Sequence, residues 1–161
     1  DDRLVKGCTC EDGWVGGDYS MAGFEEKRKA IESGDLFRYC EDVDVFVCPS
    51  DKAGSARSYS LVDSMNGFTG VSGTANLICK KLGQVERPSS RGVFIDEGTV
   101  TPETWTIFYL EPLWWDFVPK QHKFGTTVSF ADGHCEYWKW KDRRTGDYVH
   151  GTGDYPYKRC R

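Results

Sequence analysis

Apolar residues in this chain come in short runs broken by glycine, proline and acidic residues, a pattern that predicts short strands and turns rather than long helices. The clearest run lies at 126–140. Two strand-like stretches, Thr126 to Ala131 and His134 to Trp140, flank Asp132-Gly133. Asp-Gly is the favoured two-residue type I′ hairpin turn, because both central positions need positive φ. Such a turn sets Phe130 opposite Cys135 and Val128 opposite Tyr137 on an apolar face. Ser129 then faces Glu136, and Thr127 faces Trp138, on a more polar one. Gly92 to Asp96 predicts a buried strand, since three apolar residues run together there. Thr104 to Leu110 predicts another, with Trp105, Ile107 and Tyr109 on one face.

The first half is less regular. Residues 1–19 show no period and read as an irregular leading segment around a lone Trp14. Ser20 is placed to cap a helix carrying Met21, Phe24 and Ile31, and Ser33-Gly34 ends it. Glu25 and Glu26 near its start and Lys27, Arg28 and Lys29 further on suit the helix dipole. A further helical turn is expected at Leu36 to Cys40. Val43, Val45 and Val47 alternate with Asp44 and Phe46 before Pro49, which predicts a short edge strand. Ser50 to Gly73 reads as a long ordered loop around Tyr59. Pro102, Pro112 and Pro119 mark loops, one of them holding Trp114 and Trp115. Beyond Asp142 the tail is charged and glycine-rich, and Cys160 is expected to tie it back.

At 161 residues the chain suits one domain, and 39% hydrophobic with 14% aromatic residues is enough for a real core. The expected class is α+β: a small antiparallel sheet, short helices and long disulfide-pinned loops. A net charge of −4 with both signs interspersed leaves no basic stripe for phosphates, so nucleic acid is not an expected partner. The seven cysteines, Cys8, Cys10, Cys40, Cys48, Cys79, Cys135 and Cys160, exceed what a reducing compartment explains. Zinc fits less well, because the one close pair is Cys8-Thr9-Cys10 rather than a C-x2-C unit. Most of these thiols are therefore expected to be oxidised, with an odd one left over, in an extracytoplasmic setting.

Several short blocks carry more specific information. His122 precedes Asp132-Gly133 by nine intervening residues, within HKFGTTVSFADGHCEYWKW. Upstream stands Cys48-Pro49-Ser50-Asp51, followed by Tyr59 and Asn66 in SYSLVDSMNG and by Asp96 in VFIDE. In their order and spacing, over roughly residues 30 to 140, these blocks resemble bacterial prepilin-type proteins, the type IV pilin-like family that includes the G-type pseudopilins of type II secretion. The resemblance implies an antiparallel sheet packed against the second half of a long N-terminal hydrophobic helix. It also implies a role without catalysis, as a subunit of a pilus-like filament or secretion pseudopilus, with other pilin-like subunits and the assembly machinery as partners. The hydrophobic helix has no counterpart in these residues and is expected upstream of Asp1, where it would anchor the protein in the inner membrane before assembly. Cys8, Cys10, Cys160 and the Trp114-Trp115 loop lie outside the matching pattern.

Other readings compete. His122, Asp132 and His134 offer three ligands for a hydrolytic metal site, which would require all three to converge on one ion. The Asp-Gly turn argues for a structural role instead, and only a sharp reversal at Lys123 to Gly125 would return His122 toward the hairpin. No cofactor is expected on the pilin-like reading, apart from calcium, for which the resemblance to G-type pseudopilins supplies a precedent. Asp51, Asp63, Asp96, Asp132, Asp142 and Asp147 are the available oxygens, without the compact spacing of a calcium loop. Ser58, Ser60 and Ser129 lack a nucleophile-elbow context, and Cys48 beside Pro49 is a poor nucleophile candidate. A secreted carbohydrate- or surface-binding module using Trp114, Trp115 and Trp138 is the alternative from a different class.

Overall fold

A computed structural model of the chain describes residues 2–17, 19, 23–67, 73, 75–108 and 113–147. The expected Ser20 cap with Met21, the Tyr109-Leu110 end of one strand, Pro112 and the tail with Cys160 lie outside the described residues. In chain order the elements begin with β1 (Lys6–Thr9), β2 (Gly13–Val15), α1 (Phe24–Glu32) and α2 (Phe37–Cys40). A 3-10 turn at Val43–Phe46 and β3 (Tyr59–Leu61) follow. After three more 3-10 turns come β4 (Gly92–Asp96), β5 (Ile107–Phe108) and β6 (Leu113–Trp114). β7 (Gly125–Phe130), β8 (Cys135–Lys139) and α3 (Arg144–Asp147) complete the order. The fold is α+β, centred on a four-stranded antiparallel sheet in the order β3-β4-β7-β8.

Alternation along the sheet supplies two apolar faces. Leu61 pairs with Phe94, and both pack toward Trp14, Ile31 and Phe46 on the side of α1. Ile95 pairs with Val128, and these with Phe130 pack against Trp105, Ile107 and Trp114 of the β5-β6 side. Residues 1–19, expected to be irregular, supply the two-stranded β1-β2 ladder and, among the described residues, the largest fully buried side chain, Trp14. The backbone explains why. Gly16 N–H donates to Ala30 O at 2.7 Å and Asp35 N–H to Gly13 O at 2.9 Å, so β2 is fastened to the end of α1. Gly34 must be glycine, because a Cβ there would sit 2.8 Å from Val15 Cα.

α1 buries Ala30 and Ile31, with Glu25 and Glu26 in its first turn. Its N-cap is Gly23, which makes no side-chain cap, and Phe24 is half exposed beside Arg28. The edge strand expected at Val43 to Val47 is a 3-10 turn instead. Asp42 accepts from Asp44 N–H at 2.9 Å and starts the turn. Three residues per turn then bring Val43 and Phe46 inward together and leave Val45 outside, a pattern that strand alternation cannot produce. The loop expected from Ser50 to Gly73 contains β3, which pairs with β4.

The 126–140 hairpin is present with a register one residue away from the expected one. Phe130 N–H donates to His134 O and Gly133 N–H to Phe130 O, so three residues form the loop. Only Gly133 has positive φ, at 92°. This matches a type I turn closed by a glycine bulge, to which Asp-Gly is equally suited. Cys135 therefore faces Ser129, Glu136 faces Val128, Tyr137 faces Thr127 and Trp138 faces Thr126. A Cβ on Gly133 would meet open space, so Gly133→Val strains the backbone alone. We expect it to cost about 1–2 kcal/mol and to lower the melting temperature by several degrees, leaving folded protein. A thermal scan showing no change would contradict the turn.

Among the described residues the cysteines form one disulfide. Cys8 is joined to Cys10, while Cys40, Cys48, Cys79 and Cys135 are free thiols. Hydrogen bonds hold the loops instead. Asn66, at φ 59°, donates from Nδ2 to Leu4 O and Val5 O and so ties down the leading segment.

A buried carboxyl carries a pH dependence. Asp116 accepts from Thr106 N–H at 2.6 Å, and burial pushes its carboxyl up to about 6 from 3.8. The folded protein keeps this proton up to about pH 6, whereas the unfolded chain releases it near 3.8. Its contribution is therefore full below 3.8 and is lost as pH rises through about 6. Asp116→Asn cannot ionise and should remove that decline, so the stability difference between variant and wild type should shift in the variant's favour from pH 4 to pH 7. Urea midpoints across this range are the measurement, and Glu97, which the Asp116 charge helps push up, adds to the shift in the same direction once that charge is removed. Parallel curves would contradict it.

Candidate functional site

The turn Cys48-Pro49-Ser50-Asp51 follows the 3-10 turn and is closed by Asp51 N–H donating to Cys48 O at 2.8 Å. Proline suits the second position of such a turn. Asp51 then accepts from Ser55 N–H and Ala53 N–H, and the Ser55 bond leads in holding its carboxyl below the usual range. Cys48 N–H donates to Ser58 Oγ at 2.6 Å, which docks the turn beside β3.

Three residues from separate blocks meet there. Asp96, at the end of β4, is buried, and its Oδ2 lies 2.6 Å from His122 Nε2. Cys48 Sγ lies 3.6 Å from the same nitrogen, across 74 positions of sequence. The thiol also lies 3.1 Å from Ser50 Oγ. Tyr59 pairs in register with Asp96, and burial, with Cys48 and Asp96 beside it, pushes its hydroxyl up to about 12. His122 is brought in by a reversal at Lys123 and Phe124, which adopt φ of 53° and 66°. Tyr137 Oη–H donates to His122 O at 2.5 Å and holds the bend.

This reversal does not lead to the hairpin tip. His122 stands at the start of β7, and the tip lies a strand length away, about 17 Å at 3.4 Å per residue. At the tip His134 pairs instead with Asp132, Nδ1 to Oδ1 at 2.5 Å, and with Glu136 at 3.5 Å. The Asp132 contact leads in raising the His134 pKa and in lowering that of Asp132. The trio His122, Asp132 and His134 is thus not assembled. Among the described residues, the side-chain groups close enough to share an ion are Cys48, Asp96 and His122, and Cys8, Cys10 and Asp12.

The aspartates considered for calcium are dispersed. Asp51 serves its own loop, Asp96 meets His122, Asp132 meets His134, and Asp142 meets Arg144. Asp63 donates its N–H to Trp105 O beside β3, and Asp147 ends α3. The tryptophans do not make one platform either. Trp114 packs between Trp105 and Trp140, with ring centroids 5.8 and 5.4 Å away. Trp115 lies on Phe108, and Trp138 lies edge-on to Phe130. Ser58 accepts from Cys48 N–H, Ser129 accepts from Phe94 N–H, and Ser60 donates to Glu97.

Sequence reasoning missed the buried network around Ser60. Arg57 is fully buried, with its guanidinium 4.8 Å from the Trp14 ring and 4.7 Å from Tyr19. It donates to Ser60 Oγ and to the carbonyls of Tyr59, Thr101 and Pro102. Burial pushes Glu97 up to about 7, against the Ser60 hydrogen bond that lowers it. Glu97 stood inside VFIDE, next to the singled-out Asp96, but its burial had no signal in the sequence.

The Cys48, Asp96 and His122 group does not form a nucleophile relay. A Cys-His-Asp relay places thiol and carboxylate on opposite ring nitrogens, so that a proton taken at one is balanced at the other. Here both address Nε2. What the group can do is hold a loop, a strand end and a turn together. Comparison with known proteins finds no family model, no curated protein and no solved structure that matches this chain.

Proposed function

We propose that the chain is the extracytoplasmic head of a pilin-like or pseudopilin-like subunit, a structural part of a pilus-like filament or type II secretion pseudopilus. The observation that carries the reading is the meeting of Cys48, Tyr59, Asp96 and His122, which come from separate blocks of the resemblance and pack at one end of an antiparallel sheet. Residues that define the resemblance thereby act as fasteners of the fold: Asp51 caps a loop, Asn66 ties the leading segment and Gly133 closes the hairpin. A helix-backed antiparallel sheet also suits such a head.

Its partners are other pilin-like subunits and the assembly machinery. Among the described residues no helix is long and apolar enough to cross a membrane. N-terminal sequencing of the protein from its native membranes is the test. A mature chain that begins with a long apolar helix bearing an early Glu, released from a short basic leader, supports the proposal. A mature start directly before this domain, left by an ordinary signal peptide, would favour a free secreted module instead.

A further inference from the structure

We propose that Cys48, Asp96 and His122 bind a divalent ion of borderline softness, Zn²⁺, which clamps the Cys48 turn and the His122 reversal to the end of β4. The donor set is one sulfur, one imidazole nitrogen and one carboxylate oxygen, the three ligand types that Zn²⁺ accepts. Their ligand atoms all lie within 4.8 Å of one another. Zn–S near 2.3 Å and Zn–N near 2.0–2.1 Å, at a tetrahedral angle, place sulfur and nitrogen about 3.6 Å apart. Cys48 Sγ and His122 Nε2 are 3.6 Å apart. The nitrogen-to-carboxylate edge, now 2.6 Å, needs to open to about 3.3 Å, a small rotation of the Asp96 carboxyl.

Convergence on one nitrogen is the second argument. A single Nε2 proton serves one acceptor at a time, yet thiol and carboxylate both face that atom. An ion between the three groups would engage all of them, with release of the Cys48 thiol proton to solvent as the thiolate binds and with the imidazole proton carried on Nδ1, so that the Nε2 lone pair faces the ion. Each ligand is already held from behind. Cys48 N–H bonds Ser58, Asp96 O accepts from Thr126 Oγ1 at 2.6 Å, and His122 O accepts from Tyr137. His122 is 27% exposed, which leaves solvent access and a fourth position for water.

The probe is Co²⁺ followed by Zn²⁺, titrated into reduced, chelator-treated protein in which Cys8→Ser and Cys10→Ser disable the other cysteine group. One equivalent of Co²⁺ should give a thiolate-to-cobalt charge-transfer band and tetrahedral d–d bands, which Zn²⁺ then displaces. Zn²⁺ should also raise the melting temperature. Cys48→Ser should lose the charge-transfer band, and His122→Gln should weaken binding at least tenfold. The wild-type chain, with Cys8 and Cys10 left in their disulfide, should give the same band, so the spectrum can also be read without any variant. Absence of a charge-transfer band, or binding that survives both substitutions, would overturn the site.

Discussion

Trp14→Ala is expected to lose about 3–5 kcal/mol of stability, the range for removing a large aromatic from a close-packed core. Trp14 is fully buried, with Phe94 and Phe46 at ring centroid distances of 5.8 and 6.4 Å and the Arg57 guanidinium over its face. Its backbone is pinned between β1 and the end of α1, so neighbouring residues cannot slide in to fill the void. Set against a typical total of about 5–15 kcal/mol, such a loss leaves a marginal fold. Urea denaturation followed by circular dichroism measures it. A change under about 1 kcal/mol would mean that the leading segment does not belong to the core.

Arg57→Ala should cost a comparable amount, about 3–5 kcal/mol, because it strands a set of buried acceptors. Three carbonyls, Ser60 Oγ and the neighbouring Glu97 lose their cation together. Lysine should not rescue it, since one ammonium cannot reproduce the two-pronged fork that spans residues 59–60 and 101–102. Glu97→Gln added to Arg57→Ala should cost less than the sum of the two single changes, as partners in one network do. Strict additivity in a double-mutant cycle would contradict the network. Trp14 and Arg57 also touch, so their losses should not be summed.

What could be read in advance follows from how local each signal is. Strand β4 and the 126–140 hairpin were legible because their patterns are contained in a few residues. The register slipped because Asp132-Gly133 satisfies two turn types, and the choice depends on pairing with Phe130 that no local rule sees. The Val43–Phe46 turn was misread because its alternation is apparent only. Burial of residues three apart decides it, helped by the Asp42 cap. Trp14 carried no period at all, and its place in the core comes from long-range hydrogen bonds to α1.

The candidate site shows the same division. Cys48, Asp96 and His122 were each singled out, yet their meeting depends on the direction of the positive-φ reversal at Lys123 and Phe124, which no local pattern specifies. That reversal carries His122 to the β4 end of the sheet, away from the hairpin tip with which only the competing metal-site reading joined it. Oxidised cysteines were expected from their number alone, and number says nothing of distance: four of them stand as free thiols.

Fractionation of sheared cells of the native host tests the assembly reading most directly. On the proposed reading the protein sediments with surface or pseudopilus filaments, is recovered there by mass spectrometry with an apolar N-terminal segment preceding this domain, and stays in the membrane unprocessed when the prepilin peptidase is deleted. Recovery as a free, non-sedimenting protein in the medium, in equal amounts with and without the peptidase, would contradict it.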